Sequence, residues 1–263
     1  MITFLLSYYN QGSDILKKHI DLWKSYSTDG SLGKYFKFII IDDCSLKKPL
    51  DLMDFNSLGL DISFYRVLDD LFCNISGVRN LGARICDTEW LLILDMDCLV
   101  GVDMAKGLVQ IILENNNIID KTCYKFNRRV KSNKSHPKNG IIHPAVCLIK
   151  KSDYWNIGGC EEDLVGNYGY TDPCFWLRAQ GKIGVMIRKD LYIDYIEEGE
   201  AEINRDNSKN NLIFAKRKKY VGICSMIKKG LIYGGVKDLQ KLKGLYGWSD
   251  KYIRFRWEKI KNL

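Results

Sequence analysis

Two carboxylates one residue apart, Asp95 and Asp97, close the stretch Trp90–Val100, which reads WLLILDMDCLV. Five apolar residues precede them, a run too short for a helix and suited to a strand buried on both faces. Ionised carboxylates resist burial, so the pair belongs at the strand's mouth, where it suits a hard cation. In open α/β sheets ligands bind beyond the carboxyl ends of the strands, and a metal held there can carry a diphosphate. The alternative is a pair of solvated acids starting a turn.

The elements that must position this pair alternate along the chain. Strands are predicted at Ile2–Ser7, Phe36–Ile41 and Asp61–Val67, with a helix at Asp14–Tyr26 between the first two. Ser76–Cys86 is patterned as a helix with Ser76 as its cap, since Val78, Leu81 and Ile85 lie three and four apart. Beyond the D-x-D come a helix at Asp103–Asn115, a strand at Lys121–Phe126, an aperiodic loop at Arg128–Gly140 and a strand at Ile141–Lys150. A short helix at Asp153–Gly159, a turn at Gly166–Gly169, a helix at Thr171–Gln180 and a strand at Lys182–Tyr195 follow, then a polar helix at Asn204–Tyr220. Alternation of this kind predicts a mostly parallel sheet with helices on both faces.

Composition narrows the class. The chain has 263 residues, 46% hydrophobic and 27% charged, enough for a sizeable core and unlike a disordered segment. No apolar run approaches the roughly 18 residues that span a bilayer, and the start, MITFLLSYYN, reads as a strand rather than a leader. Nine cysteines without a C-x-x-C pair argue for reduced thiols and a cytoplasmic location, with peripheral membrane contact left open. The net charge of +8 is uneven: Leu212–Leu263 holds 14 Lys/Arg against 3 Asp/Glu. This basic tail suggests an anionic partner, either a membrane surface, a lipid-linked substrate or nucleic acid, or else a solvated face. At its end Ile253, Trp257 and Ile260 form an apolar helical stripe suited to an anionic bilayer, while IRFRW at 253–257 equally fits an edge strand packed on the body.

Four stretches in order, SYYN at Ser7–Asn10, FIIIDDCS at Phe38–Ser45, VRNLGA at Val78–Ala83 and LILDMD at Leu92–Asp97, resemble the nucleotide-sugar half of glycosyltransferase family 2. Downstream, GGCEE at Gly158–Glu162 and YGYTDPCFWLR at Tyr168–Arg178 resemble its acceptor half, similar to the box of related galactosyltransferases. The resemblance covers about residues 1–195. It implies a GT-A fold, Rossmann-like, with a catalytic domain over 1–200 (a nucleotide-sugar half at 1–100, an acceptor half at 101–200) and a basic extension over 201–263. It further implies a metal-dependent inverting glycosyltransferase moving sugar from a nucleotide diphosphate sugar, most readily a UDP-sugar, to a glycan, lipid-linked or other hydroxyl acceptor.

On this resemblance Asp43 accepts the N3–H of a pyrimidine, and Ser7 and Tyr9 line the base and ribose pocket. Arg79 reaches the diphosphate or organises Asp95, while Asn80 and Gly82 serve packing and Asp42 the loop. Asp95 and Asp97 hold Mn2+ or Mg2+, Asp97 directly and Asp95 also meeting ribose or sugar hydroxyls. Asp172 is the general base, or alternatively a cap of its helix before Pro173. Glu161, Glu162 and Trp155 are expected to touch acceptor or donor sugar, and Arg178 to be structural. Related enzymes often complete the metal shell with a downstream histidine; this chain has only His19, His136 and His143, none beyond the acceptor box, which leaves Asp194 or water.

Two other readings compete. A haloacid dehalogenase-like phosphatase shares a strand followed by D-x-D, with Asp190 and Asp194 at a further spacing, but its D-x-D usually opens the fold and here follows three strands. A nucleic-acid-binding module would use the run Lys121–Lys138, which has seven Lys/Arg and no acid. Joined to the first reading, it becomes a glycosyltransferase acting on DNA.

Overall fold

Strand runs that are apolar at every position must find cover on both sides, and the fold provides it. The computed structural model describes residues 1–28, 32–114, 121–197, 203–231 and 236–263. In chain order its principal elements are β1 (Ile2–Tyr8), α1 (Ser13–Thr28), β2 (Phe36–Asp42), α2 (Pro49–Leu52), β3 (Asp61–Val67), α3 (Ile75–Ile85), β4 (Trp90–Asp95), β5 (Cys98–Leu99), α4 (Val102–Glu114), β6 (Thr122–Arg129) and β7 (Ile142–Lys150). There follow α5 (Lys151–Ile157), α6 (Thr171–Ala179), β8 (Gly184–Tyr195), α7 (Ser208–Lys228), α8 (Val236–Tyr246) and β9 (Trp257–Asn262). Asn115, expected to end the fourth helix, lies outside the described residues.

One mixed sheet runs β5-β8-β6-β7-β4-β1-β2-β3-β9. The four strands β4-β1-β2-β3 are parallel, as the βαβ pattern requires, and so is β6 with β8. The pairs β4–β7, β6–β7, β5–β8 and β3–β9 are antiparallel. Side chains alternate between two buried clusters. Ile2, Phe4, Leu6, Trp90, Leu92 and Leu94 face one side with α1 and α4; Ile39, Ile41, Leu91 and Ile93 face the other with α3 and α5. Each such side chain contributes about 1.5–3 kcal/mol on burial, so strand register is strongly held. A Cβ at Gly82 would lie 2.4 Å from the Leu5 side chain, so α3 sits flush on β1 because this residue has none.

Register then sets the site. Ser7 on β1 stands beside Asp95 on β4, and Tyr8 beside Asp42 on β2. The carboxyl ends of three parallel strands therefore open at one level, where Ser7, Asp43 and Asp95 converge.

Some elements differ from expectation. The third helix starts at Ile75 with Asn74 preceding it and no side-chain cap, so Ser76 lies within the first turn. Strand β6 extends to Arg129, leaving only the stretch after it as a chain of turns before β7. The chain's end holds an edge strand, but not the expected one: residues 253–256 lie outside any strand and β9 begins only at Trp257, pairing with β3, so Ile253, Trp257 and Ile260 form no helical stripe. Pairing with an open sheet edge satisfies the backbone groups that an isolated short helix would leave exposed. Among the described residues all nine cysteines are free thiols, and no helix is long and apolar enough to cross a membrane.

Candidate active site

At the carboxyl ends of β1, β2 and β4 lies a cleft of about 330 Å³. It is lined by Ser7, Tyr9, Asp43, Asp95, Asp97 and Asp172, all singled out from sequence. Arg79 is outside this lining and bonds to Asp95 and Asp172.

Arg79 sits on α3 with its side chain only 5% exposed, and its guanidinium spans two carboxylates. Nη2 donates to Asp95 Oδ1 at 2.7 Å and Nη1 to Asp172 Oδ1 at 2.7 Å. The residue thus organises Asp95, as expected, and also Asp172, which sequence did not foretell. Burial opposes ionisation of Asp95, yet the Arg79 guanidinium, by its charge and its hydrogen bond, outweighs it and holds this carboxyl below its ordinary range. Asp172 enters from the first turn of α6, behind Tyr170 in a left-handed conformation (φ 62°). No side chain caps this helix, so the cap alternative for Asp172 fails and its carboxylate is spent on Arg79 and the cleft.

Asp43 is 6% exposed and accepts from the Asn74 backbone N–H at 3.1 Å and from Asn74 Nδ2 at 3.3 Å. Burial pushes its carboxyl up to about 7, against those two hydrogen bonds, with Asp42 and Asp70 adding to the rise. Its neighbour Asp42 points away: it accepts from the Ser45 backbone N–H and pairs with Arg66, bracing the loop. The Tyr9 phenol is raised by burial first and then by Asp70 and Asp43, which places its ring beside these acids. Phe72, also in the left-handed region (φ 64°), stands 39% exposed on the same rim.

Sequence reasoning placed no histidine here, because it looked beyond the acceptor box. His143, on β7, lines the cleft, and its Nε2 lies 3.3 Å from Cys98 Sγ. Asp97, Cys98 and His143 form the group whose ligand atoms lie within 4.8 Å of one another. Their chemistry divides, however. The Ala145 and Val146 backbone N–H groups donate to His143 Nδ1 at 3.2 Å each, which puts the ring proton on Nε2. That proton faces Cys98 Sγ, whose own proton faces Asp97 Oδ1 at 3.3 Å. Burial, followed by Asp97 and Asp95, raises the Cys98 thiol well above its ordinary value. The protonated thiol and the Nε2–H imidazole therefore brace Asp97 as donors, and serving as ligands would require a bound cation to displace their protons. The two carboxylates fit a hard divalent cation. His19 serves from beneath, its Nε2 2.8 Å from the Met96 carbonyl. His136 faces Glu197 at 3.0 Å, and Asp194 is taken up by Arg129 at 2.8 Å and Lys131 at 2.6 Å outside the cleft lining.

The acids of the acceptor box do something else than expected. Glu161 is fully buried and accepts from Arg217 Nε at 3.0 Å and from the Ser249 backbone N–H at 3.1 Å. The Ile253 backbone N–H donates to both Glu162 oxygens at 2.8 Å, and Asn80 Nδ2 donates to one at 2.8 Å. Arg254 donates to Asp163 at 3.1 Å, and Arg178 to the Ser249 carbonyl at 3.1 Å and Tyr252 hydroxyl at 2.9 Å. Trp155 packs edge-on against Tyr252 with ring centroids 5.6 Å apart. Glu161, Glu162 and Trp155 therefore grip the chain's C-terminal strap rather than face the cleft, and Arg178 is structural as expected. Ile253, a β-branched residue at φ 56°, is held in that strained backbone by Glu162.

Missed by sequence reasoning were Arg128, Lys138, Tyr195 and Arg205, all of which line the cleft. The first two lie in the basic run already noted, but their direction depends on how β6 pairs.

Residues 4–179 match the family model described as Glycosyl transferase family 2. No curated protein sequence matches the chain. Solved structures resemble it at low identity. S. aureus TarS 1-349 in complex with UDP-GlcNAc is 14% identical with a TM-score of 0.62, covering 84% of this chain and 65% of that one. GalNAc-T7 with UDP, GalNAc and Mn2+ is 15% identical with a TM-score of 0.62, covering 97% and 55%. The mannosyltransferase PcManGT from Pyrobaculum calidifontis, in complex with GDP-Man and Mn2+, is 12% identical with a TM-score of 0.52, covering 94% and 68%. The chain thus spans less than two-thirds of the TarS and GalNAc-T7 chains, and the likeness establishes a shared GT-A fold.

Proposed function

Since the chain belongs to glycosyl transferase family 2, we propose that its cleft transfers a sugar from a nucleotide diphosphate sugar, most readily a UDP-sugar, to a hydroxyl acceptor with inversion. The observation that carries this reading is Arg79, which ties Asp95 and Asp172 together across one cleft. Donor activation and proton removal need groups a few ångströms apart, and a single buried guanidinium sets that separation.

Each residue then has a task. Ionised Asp43 accepts the pyrimidine N3–H, with Tyr9 and Ser7 beside the base and ribose. Asp95 and Asp97 would hold Mn2+ or Mg2+, which when bound supplies Lewis-acid charge for the departing diphosphate. Asp172 takes the acceptor's hydroxyl proton as its oxygen attacks the anomeric carbon from the face opposite the diphosphate. The new C–O bond forms as the old one breaks, and its electron pair leaves with the nucleotide. GalNAc-T7 and PcManGT were both crystallised with Mn2+ and TarS with a UDP-sugar, which supports the donor class and the metal. The phosphatase alternative loses its basis, because the D-x-D follows the fourth strand of a sheet already built on β1.

Calorimetry with UDP, with and without Mn2+, tests the assignment. D97N should lower metal-dependent UDP affinity by about tenfold or more, whereas C98S should retain it, because serine keeps the hydrogen-bonded link. Unchanged affinity in D97N would remove Asp97 from the metal site. A loss in C98S matching that of D97N would make the thiol a ligand.

A further inference from the structure

On the donor reading above, the cleft has a charge problem. Two carboxylates, Asp95 and Asp97, cancel the charge of a divalent cation between them. Arg79 is shared between Asp95 and Asp172. The donor's two diphosphate charges, and the further charge that develops when the glycosidic bond breaks, need cations from elsewhere.

We propose that Arg128 and Lys138 form a diphosphate-binding pair that stabilises the departing nucleotide diphosphate. Both line the same cleft as Asp95 and Asp97. Arg128 Nε is buried and has no hydrogen-bond partner among the described residues, an arrangement that leaves a guanidinium donor awaiting an acceptor. The guanidinium carbon lies 5.9 Å from the centroid of the Tyr195 ring, which orients it as a platform does. Tyr195 in turn pairs with Cys98 in the β5–β8 ladder, one residue from Asp97. Lys138 meets the same tyrosine from the turn before β7: its Nζ lies 4.5 Å from the ring centroid and 3.3 Å from the hydroxyl, with only a longer contact of 3.5 Å to Glu197. Two cations are thus fixed on one aromatic side chain in a cleft that also holds two carboxylates. A metal–diphosphate complex has the complementary charges.

The test separates phosphate from base recognition. Wild type, R128Q, R128K and K138Q are titrated with UDP and with uridine at fixed Mn2+. R128Q should weaken UDP binding about 10- to 100-fold, the range of a charge-assisted hydrogen bond, while uridine affinity stays unchanged. K138Q should show a smaller loss of the same kind, and R128K should recover part of the R128Q loss. UDP affinity unchanged in both R128Q and K138Q, or UDP and uridine weakened equally, overturns the proposal. Wild-type protein that binds neither ligand would sink the donor reading, and this inference with it.

Discussion

Replacing Arg79 by glutamine probes the joint that holds the site together. Its side chain is 5% exposed, and it makes two hydrogen bonds of 2.7 Å to carboxylates. Each charge-assisted bond contributes about 1.5–3 kcal/mol, for a ceiling near 6 kcal/mol. Asp95 and Asp172 keep 29% and 25% exposure, so water rehydrates them in part once the guanidinium is gone. We therefore expect R79Q to lose about 2–4 kcal/mol, in the lower part of the range for breaking a buried pair. For a chain of this size that lowers the melting temperature by about 4–15 °C. R79K should recover less than half, because an ammonium cannot span both carboxylates. The pH dependence fixes the cause. Asp95 is held below its ordinary range by Arg79, so its contribution is present above its unfolded value, near 3.9, and is lost as pH falls through the folded one. The gap between wild type and R79Q should therefore be widest near neutral pH and shrink below about pH 4. Denaturant unfolding followed from pH 3 to 8 is the assay. A variant as stable as wild type at pH 7.5, or a gap as wide at pH 3 as at pH 7.5, refutes the reasoning.

Two further outcomes follow from the same geometry. Burial pushes Asp43 up to about 7, and its ionised form accepts the base N3–H more strongly than the neutral acid does, so UDP affinity should fall, by at most about tenfold per unit, as pH drops below 7. D43N should flatten that profile, and a wild-type profile flat from pH 5.5 to 8.5 would separate Asp43 from the base. Deleting residues 248–263 removes the backbone donors to Glu161 and Glu162, leaving them to Arg217 and Asn80 respectively, and opens the edge of β3. The truncated chain should lose its cooperative thermal transition, and a shift of less than about 3 °C would show the strap to be dispensable.

What the sequence revealed and what it hid divides by range. Asp43, Asp95 and Asp97 were readable because an apolar run broken by acids marks a strand end locally, and parallel register brings such ends together without further information. Asp172 followed from its place in the acceptor box. The partners of these acids were not readable. Arg79 meets Asp172 across 93 positions, and Glu162 meets Ile253 across 91, and no local pattern encodes such pairings. The GGCEE acids looked like substrate ligands because free carboxylates in a family motif invite that role, yet burial requires partners, and Arg217, Asn80 and the strap's backbone N–H groups supply them. The strap itself was ambiguous, since IRFRW fits both strand alternation and part of a helical stripe, yet its first four residues form neither and only the chain from Trp257 onward pairs with the open edge of β3. His143 escaped for the opposite reason: it precedes the acceptor box in sequence and reaches Cys98 only through the pairing of β7 with β4 and β6.

The role of Asp172 as general base bears the most weight, and D172N tests it in one comparison. With the UDP-sugar that most stabilises the wild-type protein, in the presence of Mn2+, donor affinity should stay within about threefold while turnover falls about 10²–10⁴-fold. Proton NMR of the wild-type product should show the anomer inverted relative to the donor. Turnover near the wild-type rate in D172N, or a product with retained configuration, would contradict the account.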